Sequence, residues 1–422
     1  MRILWLKTEL LHPVDKGGKI RTYNMLKQLK RDHHVTYIAL DDGSADHEAR
    51  ERSREYCHEL VCIPHQQSEK FTAGFYVELL FNLASTLPYA IKKYQSTAMK
   101  DEIVERTKNG SVDVVICDFL APAVNVPQDL PCASILFQHN VEAMIWKRHF
   151  EVQSNPVKKN YLRTQWRKMV KFETEMCRAF DSVIAVSAED REQLKTEYGA
   201  REVYDVPTGV DTKFFRPSGN EALNQHNVVF TGSMDWLPNE DGIRYFTEQI
   251  LPLIRQSIPD ASLTVVGRNP YPSLLELGKR DNRVVVTGRV EDVRPYMEQA
   301  AAYIVPLRVG GGTRLKIYEA MAMGKPIVST TIGAEGLPVT DGNELRIADT
   351  PETFAAAVTD LLLDLESAKA MGQRAAAVVR AKFGWAGVAS KFAEICEGTV
   401  RDNFGQPVST NVAVENQEQP VV

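Results

Sequence analysis

The stretch Val309 to Pro326, VGGGTRLKIYEAMAMGKP, puts two different chemistries on one short segment. Gly311 and Gly312 lead directly into a helical pattern that Thr313 can cap. Glycine leaves backbone N–H groups uncovered, and a helix start presents more of them with a partial positive charge, so this junction suits an anion. Arg314 and Lys316 add fixed positive charge beside it. Glu319 follows about 9 Å beyond the cap, at a rise of about 1.5 Å per residue, where a carboxylate can accept from two adjacent hydroxyls. A diphosphate joined to a ribose offers both groups. The plainer alternative is a Lys316–Glu319 pair on a solvated helix face behind an ordinary glycine loop.

Three other clusters carry side chains that could act. His139 follows the apolar run ASILF, and an imidazole at the carboxyl end of a strand can donate or accept a hydrogen bond near neutral pH; a loop histidine satisfied by backbone is the alternative. Gly17 and Gly18 stand after the first apolar run at the predicted start of a helix. They can let a ligand approach the backbone or simply make a tight turn, since no GxGxxG pattern accompanies them. Cys57, His58, Cys62 and His65 match no usual structural zinc spacing, and no Asp-x-Asp pair is available for a divalent cation, so no metal is expected.

Positioning such groups requires a scaffold, and the apolar runs supply it. RILWL, HVTYIAL, ELVCI, DVVIC, ASILF and DSVIAV recur in the first half, and NVVFTG, SLTVVG, RVVVTG, AAYIVPL and KPIVST in the second, with helical patterns between. Near-continuous apolar strands alternating with helices predict parallel sheets covered on both faces, hence an α/β chain of two doubly wound, Rossmann-like domains. Periodicity stops across residues 207–226, read as a hinge between a domain at 1–206 and one at 227–384, and the tail 401–422 reads as disordered. Ligands of such sheets sit beyond the carboxyl ends of the strands, and the expected site is a cleft between the domains. Residues 143–180 form one long helical pattern rich in Lys and Arg, either a solvated face or a surface for anionic lipid.

A length of 422 residues supports two domains, and a formal charge of −5 gives no global field for nucleic acid. Six scattered cysteines in a long chain read as free thiols in a reducing cytoplasm. The start is too short and polar for a signal peptide, and FTAGFYVELLFNLASTLPYA, the nearest approach to a membrane span, is interrupted by Glu78, Asn82 and Pro88.

With these motifs in order, the chain resembles the retaining glycosyltransferases of family 4, which have the GT-B architecture of two facing Rossmann-like domains. The resemblance runs through Gly17-Gly18, HNVE at 139–142, VSAEDREQL at 186–194, PTGVDTKFF at 207–215, VVFTGSMDWLPN at 228–239 and the glycine-rich helix. It implies that Gly17 and Gly18 approach the donor phosphates or the acceptor, and that His139 contacts the transferred sugar. Arg314 and Lys316 would then hold the diphosphate, and Glu319 the ribose. Two departures stand out. A second glutamate that many members carry eight residues before the ribose-binding one is Gly311 here. The arginine and lysine often found after the strand opening the second domain are replaced by Gly232-Ser233-Met234-Asp235-Trp236, so that Gly232 and Ser233 would line the donor site with Arg268 sharing the phosphate charge.

The subset with GGGTRLK resembles bacterial exopolysaccharide or lipopolysaccharide transferases, and FGWAGVASKFAEIC at 383–396 is similar to the family's closing helix, which returns to the first domain. The implied activity is metal-independent transfer from a UDP- or GDP-sugar to a saccharide or lipid-linked saccharide, without a further cofactor, in the cytoplasm at the inner face of the membrane. A nucleotide-sugar epimerase and a non-catalytic nucleotide-sugar-binding scaffold are the alternatives.

Overall fold

Apolar runs of five to eight residues separated by amphipathic helices pair side by side, because parallel strands buried on both faces leave no polar edge to solvate. The computed structural model describes residues 1–14, 17–43, 45–69, 72–309 and 315–404. Gly311, Gly312, Thr313 and Arg314 of the glycine-rich motif therefore lie outside the described residues, as does 405–422 of the expected tail. The chain divides into two compact units, one comprising Met1–Val206 with the chain from Ala389 onward, the other Pro207–Val388.

The first unit contains β1 (Arg2–Lys7), β2 (His34–Asp41), β3 (Glu59–Pro64), β4 (Val114–Asp118), β5 (Ala133–Phe137), β6 (Ser182–Ala185) and β7 (Val203–Asp205). They form one sheet in the order β3-β2-β1-β4-β5-β6-β7, with every pairing parallel. The order reverses direction between β1 and β4, where Trp5 pairs with Ile116 and Leu6 with Cys117. Ligands of doubly wound sheets gather outside the carboxyl ends at such a point. Trp5 and Phe137 are fully buried, and Phe392 of the helix Trp385–Phe404 packs on both, with centroids 5.6 and 5.1 Å away. That helix continues to Phe404, past the position at which the tail was expected to begin.

The second unit holds β8 (Asn224–Thr231), β9 (Ser262–Val266), β10 (Val284–Val286), β11 (Ala300–Val305), β12 (Ile327–Ser329) and β13 (Arg346–Ile347). Their order is β10-β9-β8-β11-β12-β13, again all parallel, with the reversal between β8 and β11. β7 and β13, too short to register as apolar runs, extend the two sheets at one edge.

The division between the units falls at Val206–Pro207, where the expected hinge begins, and the stretch 207–226 then joins the second unit: β8 begins at Asn224, Glu298 accepts from the backbone of Ser218 and Gly219, and the Arg294 guanidinium lies 3.8 Å from the Phe214 ring centroid. Polar composition here reflects backbone groups bonded to side chains of the same unit. The expectation of one long helix needs correction. The pattern at 143–180 is two helices, Glu142–Val152 and Pro156–Ala179. Proline disfavours helical geometry in the residue before it, and the Asn155 side chain caps the new start by accepting from the N–H groups of Val157 and Lys158 at 3.0 and 3.1 Å.

Candidate active site

In the first unit, β1 and β4 end on opposite charges. Lys7 Nζ lies 2.7 Å from Asp118 Oδ2, and both side chains are buried. The same oxygen accepts from Thr22 Oγ1 at 2.6 Å and Trp5 Nε1 at 3.0 Å. Burial alone would raise the Asp118 carboxyl; the Lys7 ammonium outweighs it and holds the group well below the usual carboxylate range. Burial lowers the Lys7 ammonium, opposed by Asp118. An isolated buried ion costs several kcal/mol, so each of these charges persists only because the other is there.

His139 meets this pair from β5. Its Nε2 is 2.7 Å from Asp118 Oδ1 but out of hydrogen-bonding line, and among the described residues neither ring nitrogen has a hydrogen-bond partner. Burial drives its pKa down to about 3 despite the neighbouring carboxylate, so the ring is neutral at physiological pH. The imidazole expected to face a ligand is 4% exposed. Phe119 covers it, stacked at 3.8 Å between centroids, with its backbone at φ +73°. A Cβ on Gly18 would fall 2.8 Å from Phe119 Cζ, so the glycine is needed by this ring. Gly17 opens the helix Gly17–Leu29, which carries Thr22 into the Asp118 network.

The HNVE segment is held from behind. Glu173, fully buried on the helix Pro156–Ala179, accepts from Gln138 Nε2 at 3.0 Å and from the N–H groups of Glu142 and Ala143 at 2.8 Å each. Val141 has no side chain to cap the helix Glu142–Val152, and Glu173 takes that role. Burial pushes its carboxyl up to about 8 against these three donors.

In the second unit the ends of β8 and β9 nearly touch. A Cβ on Gly267 would fall 1.6 Å from the Gly232 carbonyl oxygen, and one on Gly232 would fall 2.7 Å from Lys316 Nζ and 2.8 Å from Asn239 Nδ2. Bare backbone at Gly267 lets the two strand ends approach, and bare backbone at Gly232 makes room for the ammonium. Lys316 projects from the helix Leu315–Ala322, donates to Asn239 Oδ1 at 2.9 Å and lies 3.9 Å from the Phe230 ring centroid. Beside it, Arg268 Nε donates to Ser233 Oγ at 3.0 Å, and Ser233 Oγ donates to Asp235 Oδ1 at 2.5 Å. Glu319 keeps partial solvent contact by surface area, yet burial pushes its carboxyl up to about 7, with Lys316 opposing.

Of the residues singled out from sequence, Gly232, Ser233, Arg268 and Lys316 come together, with Glu319 on the same helix as Lys316; Gly18 and His139 are joined through Phe119. Lys7, Asp118, Thr22, Phe119 and Asn239 were missed. Lys7 and Asp118 are the charged last residues of otherwise apolar strands, a signal open to the rule that strand carboxyl ends hold ligands. Phe119 and Asn239 gave none. Cys57, His58 and His65 have separate partners: Ser53 O, the Val35 N–H and Lys93 O. Among the described residues no group of three metal-ligating side chains is assembled.

Comparison with known proteins fits this geometry. Residues 16–214 match Glycosyltransferase Family 4, and residues 225–364 match Glycosyl transferases group 1. An uncharacterized 44.6 kDa protein in the cps region of Klebsiella pneumoniae is 22% identical over 363 residues, covering 84% of this chain and 89% of its own. The GDP-mannose-dependent alpha-(1-6)-phosphatidylinositol monomannoside mannosyltransferase of Mycobacterium tuberculosis is 27% identical over 240 residues, 52% of this chain, and the match spans 62% of that relative's length.

Among solved structures, sucrose-phosphate synthase from Thermosynechococcus elongatus aligns with a TM-score of 0.69 at 18% identity, over 93% of this chain and 98% of that one. Anabaena HepE in complex with UDP aligns at 0.65 and 15%, over 94% and 100%. At these identities the structures speak to the fold alone, which is GT-B. The chain belongs to the glycosyltransferases, with a family 4 region followed by a group 1 region.

Proposed function

We propose that this protein transfers a sugar from a nucleoside diphosphate donor to an acceptor hydroxyl with retention at the anomeric carbon, in bacterial surface polysaccharide synthesis. The observation that carries the reading is the cradle at the ends of β8 and β9, where Gly267 lets the strand ends approach and Gly232 clears space for the Lys316 ammonium beside Arg268 and Ser233. The donor's diphosphate pairs with that ammonium and Glu319 accepts from the ribose hydroxyls. Arg314, Gly311, Gly312 and Thr313 complete the phosphate contacts by resemblance. Pro207–Val388 is then the donor unit and Met1–Val206 the acceptor unit.

In the reaction the acceptor oxygen bonds to the anomeric carbon while the bond from that carbon to the β-phosphate oxygen breaks. The electron pair leaves with the diphosphate, and the hydroxyl proton passes to a departing phosphate oxygen on the same face. Lys316 and Arg268 stabilise the charge that develops there, so no divalent cation is required. His139 orients the sugar as a neutral hydrogen-bonding group once the Phe119 ring moves aside. The acceptor is a saccharide or lipid-linked saccharide at the inner face of the cytoplasmic membrane, touched through the basic helices between Glu142 and Ala179.

The M. tuberculosis relative is named for GDP-mannose and the Anabaena structure holds UDP, so both donor classes enter the first assay. Thermal unfolding with UDP, GDP and their sugar conjugates should give a shift with one nucleotide family, unchanged by EDTA. Transfer from that donor should vanish in Lys316→Ala without loss of fold. Wild-type turnover in that variant would sink the assignment, and product formed without acceptor would favour an epimerase.

A further inference from the structure

We propose that the helix Ala73–Asn82 docks this protein onto an anionic lipid bilayer, lying in the headgroup region with its apolar face toward the acyl chains. Thr72 starts the helix by accepting from Phe75 N–H at 3.3 Å. Tyr76, Val77, Leu80 and Phe81 then fall on one face, and all four are exposed, Leu80 by 68% and Phe81 by 74%; Leu83 follows at 47%. A soluble surface scatters such side chains singly, whereas here they form a continuous stripe with no charged residue in it. The acidic side chain of the helix, Glu78, lines the cavity beside the stripe and is engaged there, accepting from Ser68 Oγ at 2.5 Å and Tyr89 OH at 2.8 Å.

Cations gather at the edge of the stripe. Lys92 and Lys93 line the same cavity of about 270 Å³ as Val77 and Phe81. Lys168, from the helix Pro156–Ala179, donates to the carbonyls of Asn82 and Leu83 at 2.7 and 3.3 Å, and Gln165 Nε2 donates to Asn82 Oδ1 at 2.9 Å. The apolar helix is thus pinned to the basic one. Burial lowers the Lys168 ammonium, and Lys92 lowers it further, which marks a local excess of positive charge. An apolar stripe flanked by cations is complementary to acyl chains beneath anionic headgroups.

A second copy fits less well. A stable dimer buries about 800 Å² on each partner, more than one short helix offers, and the lysines would face their own copies. At about 1.5 Å per residue the helix spans roughly 15 Å, half of a hydrocarbon core of about 30 Å, so it lies in the interface and does not cross.

This rests on the membrane contact of the proposed function and names its apolar element; vesicle binding needs neither donor nor acceptor, so its failure leaves the transfer reading intact. Full-length protein would be co-sedimented with vesicles of phosphatidylcholine alone and with added phosphatidylglycerol. Wild type should pellet with the anionic vesicles, and Leu80→Gln/Phe81→Gln should lower its partition coefficient at least tenfold with an unchanged melting temperature. Lys92→Glu/Lys93→Glu should cost at least about fivefold per lysine removed, selectively on anionic vesicles. In Phe81→Trp, brominated acyl chains should quench more fluorescence than in wild type. Equal partitioning of the Leu80/Phe81 variant, no binding by wild type, or a wild-type dimer that the variant splits without any vesicle binding would overturn the proposal.

Discussion

The Phe119 ring lies 3.8 Å from the His139 ring at an interplanar angle of 20°, and its Cζ occupies the space that a Gly18 side chain would need. Three residues far apart in sequence are therefore one mechanical unit. A side chain at position 18 pushes Phe119, and Phe119 pushes His139.

Gly18→Ala should lower kcat with little loss of stability, because the clash is with the far end of a side chain that can shift. Phe119→Leu in the same chain should restore much of the loss. A double-mutant cycle on kcat checks this: coupling of at least about 0.5 kcal/mol is expected for residues in contact, and additive effects would separate Gly18 from Phe119.

Removing one member of the Lys7–Asp118 pair leaves the other charge buried alone. Asp118→Ala should destabilise the first unit by about 3–5 kcal/mol, measured by urea unfolding followed through tryptophan fluorescence. Lys7→Met/Asp118→Leu should recover most of this, since it buries no ion; a double variant as unstable as the single one would mean that Thr22 and Trp5 need the carboxylate themselves.

Two groups of the same unit make a contribution that acid removes. His139 is held down to about 3 from 6.5, and Asp118 below 3.8, so each binds fewer protons folded than unfolded and stability rises with pH. The His139 contribution is complete above about 6.5 and is lost as pH falls towards 3; the Asp118 contribution fades only below 3.8. Glu173 of the same unit, raised to about 8, contributes in the opposite sense, so the His139 term is read as a difference between variants: His139→Gln should raise the urea midpoint relative to wild type more at pH 5 than at pH 7. An unchanged slope would place the acid sensitivity in other histidines.

Glu319 works in the opposite sense. Burial raises its carboxyl from 4.5 to about 7, so the carboxylate proposed to accept ribose hydroxyls forms only as pH rises through that value. Affinity for the cognate nucleoside diphosphate should increase from pH 6 to pH 8, with proton release on binding seen by calorimetry in buffers of different ionisation enthalpy. Glu319→Gln should bind more weakly and remove the release; proton release persisting in that variant would move the titration to another group.

Gly232→Ala puts a methyl group 2.7 Å from Lys316 Nζ. Displacing a charge-assisted hydrogen bond of about 1.5–3 kcal/mol should weaken nucleotide binding by roughly 10- to 100-fold, close to the effect of Lys316→Ala. Wild-type affinity in Gly232→Ala would show that the ammonium is not confined there.

Much of this protein could be read along the chain. Runs such as RILWL and DVVIC are apolar on both faces, and that alone demands a covered parallel sheet, because burying two faces of one strand leaves few other arrangements. The doubly wound pattern, the helix carrying Lys316 and Glu319, and the interest of strand ends followed from local composition. The failure of that reading was also local: a long basic pattern hid the break at Asn155-Pro156.

The site required contacts between distant residues. Lys7 and Asp118 are separated by 111 positions, and Lys316 and Asn239 by 77. No periodicity records such pairs, since helical and strand patterns reach only a few residues. Nor does composition reveal that His139 is neutral and covered: its proton affinity is set by desolvation and by Asp118, both products of packing. Glycine at 18 and 232 was visible as a gap in the side-chain pattern, but what fills each gap, an aromatic ring in one unit and an ammonium in the other, depended on which elements folded against it.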